Sequence, residues 1–100
     1  MKHFKSDRRY KNFDNGYHYV IDFRWTESKL YMEYTEACNK LYGDARVTIL
    51  KEDGTISRDS FGIVRKRFNE NYRLEANRSQ KRRRIYLKDE SQMVILALAL

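Results

Sequence analysis

Between Tyr17 and Leu41 the spacing of apolar side chains changes from two to nearly four, and no other stretch limits the fold as firmly. In Tyr17–Trp25, YHYVIDFRW, the residues Tyr17, Tyr19, Ile21, Phe23 and Trp25 share one side, and His18, Val20, Asp22 and Arg24 the other. Aromatic and β-branched residues at period two predict a strand whose first side meets the core. Thr26 can then cap a helix, with Glu27 placed in its first turn. Leu30, Tyr34, Ala37 or Cys38, and Leu41 recur at helical spacing, and Lys40 with Gly43 supplies the stop. A strand running into an amphipathic helix near 27–42 is the nucleus of the expected fold.

The remaining elements follow from turn chemistry. Ala45–Leu50 and Thr55–Arg58 flank Asp53-Gly54, which predicts a hairpin with a type I′ turn and puts Val47, Ile49 and Ile56 toward the core. Asp59 or Ser60 then caps a second helix, with Phe61, Val64, Phe68 and Tyr72 as its thin apolar stripe. Glu75–Gln80 reads as a polar connection, Arg84–Lys88 as a strand and Met93–Ala99 as a final strand. The alternative for that last run is a helix, because Asp89 and Gln92 have capping-box spacing. The order β-α-β-β-α-β-β describes an α+β domain, a mainly antiparallel sheet with two helices packed on one face. Residues 1–16 are read as a basic arm closed by Asp14-Asn15-Gly16, and residues 17–100 as one domain. No internal repeat is visible.

Composition narrows the class. One hundred residues with fourteen aromatics can bury one modest core, which argues against disorder. The single cysteine, Cys38, excludes an internal disulfide and reads as a small buried helix residue. No Cys/His spacing suggests zinc, and no cofactor is expected. The start of the chain lacks an apolar leader, and the eight apolar residues Met93–Leu100 fall short of the roughly 20 that a spanning helix needs. The expectation is a soluble cytoplasmic protein with no membrane partner.

Charge supplies the functional signal. Arg65–Arg84 holds nine basic residues (Arg65, Lys66, Arg67, Arg73, Arg78, Lys81, Arg82, Arg83, Arg84) against Glu70 and Glu75, a local charge of +7 equal to that of the whole chain. The first eleven residues, with Lys5, Arg8 and Arg9 among them, add +4, so everything else sums to −4. Segregated positive charge is the footprint of a polyanion binder. Seven of the nine are arginine, whose planar fork suits phosphate and stacks on bases. Phe68, Tyr72, Tyr10 and Phe13 are candidate stacking platforms, a mixture that suits RNA better than duplex DNA.

Enzymatic signals are sparse. His3 and His18 are the only histidines, and no glycine-rich phosphate loop, Ser-His-Asp set or carboxylate pair stands out. The ending KRRRIYLKDESQMVILALAL resembles the last strands of RelE-type ribosome-dependent mRNA endonuclease toxins, over about a fifth of the chain. That resemblance implies a metal-independent endoribonuclease in which Arg82, Arg83, Arg84 and Tyr86 are the residues at stake. The chain departs from that family in placing a hairpin between its helices.

The principal expectation is a small non-catalytic RNA-binding protein that masks RNA or bridges it to a protein partner. The second helix and the KRRR run would form one positive surface, with the arm closing over the RNA. An acidic protein or a ribonucleoprotein is the other expected partner, and the size and arm also fit a phage or mobile-element inhibitor of a host nuclease or defence complex. The terminal apolar run, if it lies at a sheet edge, would invite pairing with a second copy.

Overall fold

A computed structural model describes residues 1–100 as an α+β fold with two helices packed against a mainly antiparallel sheet. The elements are β1 (Lys2–Lys5), β2 (Tyr19–Arg24), α1 (Ser28–Tyr42), β3 (Arg46–Thr48), β4 (Lys66–Phe68), β5 (Tyr72–Asn77), β6 (Arg82–Leu87) and α2 (Glu90–Ala99). β1, β2, β6 and β5 lie side by side in that order, each antiparallel to its neighbour. β3 and β4 form a separate two-stranded ribbon.

Alternation decides what each face of the sheet holds. Tyr19, Ile21 and Phe23 of β2, Ile85 and Leu87 of β6 and Tyr72 of β5 meet Tyr34, Ala37 and Cys38 of α1 and Met93 and Leu96 of α2 in one buried core. Each fully buried aliphatic side chain there contributes roughly 1.5–3 kcal/mol. The opposite face, the underside, carries Val20 and Asp22, Arg84 and Tyr86, and Arg73 and Glu75. As the alternation predicts, α1 begins where β2 ends. A short 3-10 turn, Trp25–Glu27, intervenes, and the Glu27 carboxylate accepts the Arg24 N–H at 2.9 Å, so Glu27 closes the start where Thr26 was expected to.

The expected arm is part of the body. Lys2–Lys5 pairs along β2, and residues 6–17 fold beneath the sheet. Phe4 and Tyr10 pack against Tyr17, Val20 and Tyr86 there, and the Tyr17 hydroxyl donates to the Asn69 carbonyl at 2.6 Å. The physical reason is that Val20 and Tyr86 make the underside too apolar to leave uncovered.

The second helix lies at Glu90–Ala99 and not after Asp59, where it was expected. Residues 59–73 are not helical, and Met93–Ala99, read as a strand, belong to α2. The Asp89 carboxylate accepts the Gln92 N–H, and the Gln92 side chain reaches back toward Asp89 and Lys88, a capping box that decides for helix.

Residues 44–69 protrude as a branched ribbon. Beyond β3 and β4 the Ile49 N–H donates to the Arg65 carbonyl (2.9 Å), the Arg65 N–H to Ser57 (3.0 Å) and the Ser57 N–H to Ile49 (2.9 Å), a closed three-way junction. Two small hairpins leave it. In one the Lys51 N–H bonds Thr55 and the Gly54 N–H bonds Lys51. In the other Asp59 and Gly62 do the same with Ile63 and Asp59. The two are equivalent at an offset of eight residues, a short structural repeat that sequence alone did not reveal. Each turn has positive φ only at its glycine, Gly54 (+84°) or Gly62 (+79°), and not at two successive residues as a type I′ turn needs. Gly62 in this conformation, with Asp59 accepting the Phe61 and Ile63 N–H groups, ends the apparent helical stripe before it starts. Val47, Ile49 and Ile56, expected in the core, lie on this ribbon outside it.

Candidate nucleic-acid interface

The basic residues do not form one surface. Because β6 alternates, the KRRR run is dealt to both faces of the sheet. Arg82 and Arg84 point to the underside, where Asp22 takes both, at 3.2 Å from Arg82 and 3.4 Å from Arg84. Glu75 adds a contact to Arg84 at 3.9 Å, and the Tyr86 hydroxyl donates to Glu75 at 3.3 Å. Burial works against the Arg84 charge, but its contacts with Tyr86 and Asp22 outweigh that and hold it more firmly protonated than a free guanidinium. Burial also pushes the Tyr86 hydroxyl up. Arg83 turns to the other side, 4.4 Å from the ring centre of Trp25 and 5.3 Å from that of Tyr31. Of the four residues singled out by the RelE resemblance, Arg82, Arg84 and Tyr86 therefore share the underside while Arg83 faces the other way, and Tyr86 is buried.

A second basic group sits on the ribbon. Arg65, Lys66 and Arg67 are exposed there. Arg46 and Arg73 lie over the Phe68 ring at 5.1 and 3.8 Å, so guanidiniums already occupy this expected platform. The pairing places Tyr72 beside Leu87 and Asn77 beside Arg82, so ribbon and KRRR run lie at opposite ends of β5. At about 3.4 Å per residue the strand separates them by roughly 17 Å. This corrects the expectation of one positive surface.

The other predicted aromatics are also engaged. Tyr72 is buried and donates to the Gly43 carbonyl at 2.7 Å, while Phe13 packs on His18 at 4.6 Å between ring centres. Tyr10 lies on Phe4 and against Arg84. In the former arm the Arg9 guanidinium donates to the Asp7 carboxylate at 3.0, 3.0 and 2.7 Å, while Lys5 and Arg8 are exposed. Arg78 stands exposed on the turn between β5 and β6.

What the fold does assemble is a corner that the basic-run reading passed over. Trp25 keeps 37% of its surface exposed and opens on a cleft of about 400 Å³ shared with Arg24, Thr26, Gln80, Lys81 and Arg82. A second cleft of about 290 Å³ lies across the Arg24–Arg82 ridge, lined also by Lys2, Asp22 and Glu27. Both open beside the amino-terminal end of α1, where the helix dipole is positive. The Trp25 N–H donates to the Lys81 carbonyl at 2.9 Å, which ties the two sides of the corner together. Lys81 itself has φ of +53°, a left-handed conformation that a lysine adopts only under constraint.

Protein-family models, curated protein sequences and solved structures contain no match to this chain. The corner must therefore be read from its own chemistry. An indole, three cations and a hydroxyl around a nucleotide-sized cleft suit a base next to its phosphates. Arg24 and Trp25 lie outside both basic runs, and Trp25 was expected to face the core. The available signal was the Arg-Trp pair at the exit of a strand, immediately before a helix start.

Proposed function

We propose that this protein binds single-stranded RNA at the corner formed by Arg24, Trp25, Lys81 and Arg82. The observation that carries the reading is Trp25, 37% exposed, with Arg83 over its ring at 4.4 Å and a cleft beside it that holds three cations. One base stacks on the indole, and its neighbouring phosphates meet Arg24 and Lys81. Arg82 shares its charge with Asp22 and serves mainly to shape the ridge. The contact covers a few nucleotides only, which fits a protein that marks or masks a short unpaired stretch.

Binding of a labelled oligoribonucleotide across a salt series tests this. Neutralising about two phosphates gives a slope of log affinity on log salt of about −1.4 for a single strand. Replacing Trp25 with Ala should weaken binding about tenfold or more, the scale of one lost base stack. Replacing Arg24 and Lys81 together should flatten the salt slope. Binding that ignores both salt and Trp25 would overturn the proposal.

A further inference from the structure

Three open clefts follow one another along β5 and the turn behind it. Residues 69–71 border the first, of about 440 Å³ at the root of the ribbon, together with Arg46, Lys66 and Arg67. Residues 75–79 border the next, of about 490 Å³, with Lys11. Residues 80–82 then reach the corner cleft beside Trp25. β5 is an outer strand of its sheet, and Tyr72–Asn77 make no backbone–backbone hydrogen bond outside it. One side of the strand therefore keeps its N–H and C=O groups free.

Charge follows the same line. The corner cleft has three cations and no carboxylate, and the middle one has Lys11 and Arg78 with Glu75. The root has three cations with Asp44 and Glu70. Of these eight cations only Arg82 is in an ion pair. Two of the three carboxylates are engaged elsewhere, Glu75 by Arg84 and the Tyr86 hydroxyl, and Asp44 by the Asn39 amide at 2.8 Å. Arg46 and Arg73 are held over the Phe68 ring, and neither pairs with a carboxylate. The other acids of the ribbon, Glu52, Asp53 and Asp59, stand on the two turns beyond the junction of Ile49, Ser57 and Arg65.

We infer that the RNA strand leaving the Trp25 corner runs along the free edge of β5 to the ribbon root, where Lys66 and Arg67 take its far phosphates. This rests on the RNA reading of the corner and extends it into a longer track. Arg78 meets the phosphate next to the corner, and the edge N–H groups donate to phosphate oxygens along the way. β5 covers roughly 17 Å, about five nucleotides at the roughly 3.4 Å of a stacked strand. With the corner and the root the track holds about seven, within the range of single-strand sites.

The test titrates the full chain with uridine trimers and octamers and follows the fluorescence of Trp25, the only tryptophan. The trimer has two phosphodiesters and reports the corner, with a salt slope of about −1.4. The octamer also reaches Arg78, Lys66 and Arg67, so it should bind at least about tenfold tighter with a slope of about −3.5. Lys66→Ala with Arg67→Ala should flatten the octamer slope by about 1.4, leave trimer binding unchanged and keep the native circular dichroism. An effect felt at Trp25 from a strand's length away requires one RNA to span both places. Equal affinity for trimer and octamer, or octamer binding that ignores the double substitution, overturns the track and leaves the corner standing. Failure of both oligomers to change the Trp25 signal overturns the corner and the track with it.

Discussion

Asp22 lies between Arg82 and Arg84 on the underside of the sheet, each of its oxygens facing one guanidinium, at 3.2 and 3.4 Å. The carboxylate is almost wholly buried, with 7% of its side-chain surface exposed, whereas Arg82 keeps 33%. Removing it by Asp22→Ala leaves two like charges on neighbouring alternate positions of β6. The expected loss is about 2–4 kcal/mol, below the full value for a buried pair because Arg82 reaches solvent. Urea denaturation monitored by circular dichroism measures it.

Lys81 combines a strained backbone with a place at the proposed RNA corner. Its left-handed φ costs about 1–2 kcal/mol for a residue with a Cβ, and glycine recovers part of that after its own entropy cost in the unfolded chain. Lys81→Gly should therefore stabilise the protein by about 0.5–1 kcal/mol while weakening RNA binding at low salt. Parallel thermal melts and binding titrations would show the two effects moving in opposite directions.

Alkaline pH should unfold the protein over a defined window. Burial favours the neutral phenol of Tyr72 and pushes its pKa from 10 up to about 12, and burial pushes Tyr86 in the same direction. A folded-state value above the unfolded one means the stabilisation is complete below pH 10 and is lost as pH climbs toward 12. Far-ultraviolet circular dichroism and phenolate absorbance should therefore change together in that interval.

The thiol of Cys38 is fully buried on α1, and burial pushes it up to about 12. It should resist alkylation in the folded protein at neutral pH and react as fast as a free cysteine once denatured. Labelling that proceeds without unfolding would contradict its place in the core.

Asp89 starts α2, and Asp89→Ala removes the oxygen that accepts the Gln92 N–H at 3.3 Å. A cost of about 1 kcal/mol is expected, read as a lower urea midpoint at constant slope.

Most of the α+β layout was legible because it rests on local pattern. The alternation through Tyr19–Arg24, the stripe through Tyr34, Ala37 and Cys38, and the strand through Ile85–Leu87 survive in the fold. The misplaced second helix shows why periodicity alone misleads. Phe61, Val64, Phe68 and Tyr72 fall at helical spacing, yet they belong to a turn, a bridge and two strands, because Gly62 at φ of +79° sends the chain back on itself. Met93–Leu100 was ambiguous for the opposite reason. It is apolar at every position and shows no period, so the cap at Asp89 had to decide. The candidate site was the least legible part. A run of like charges reads as one patch in sequence, but period two in β6 sends Arg83 one way and Arg82 with Arg84 the other. Trp25 and Lys81, fifty-six positions apart, meet only through sheet pairing.

The closed circuit of Ile49, Ser57 and Arg65 has a practical consequence. Each of the three gives one backbone hydrogen bond and takes one, so breaking any bond strands a donor on one residue and an acceptor on another. The outer ribbon is accordingly expected to melt as a unit, while extra residues spliced in at Gly54 or Gly62 should leave the circuit whole. It is a natural mounting point on which foreign loops can be displayed without disturbing the sheet behind it.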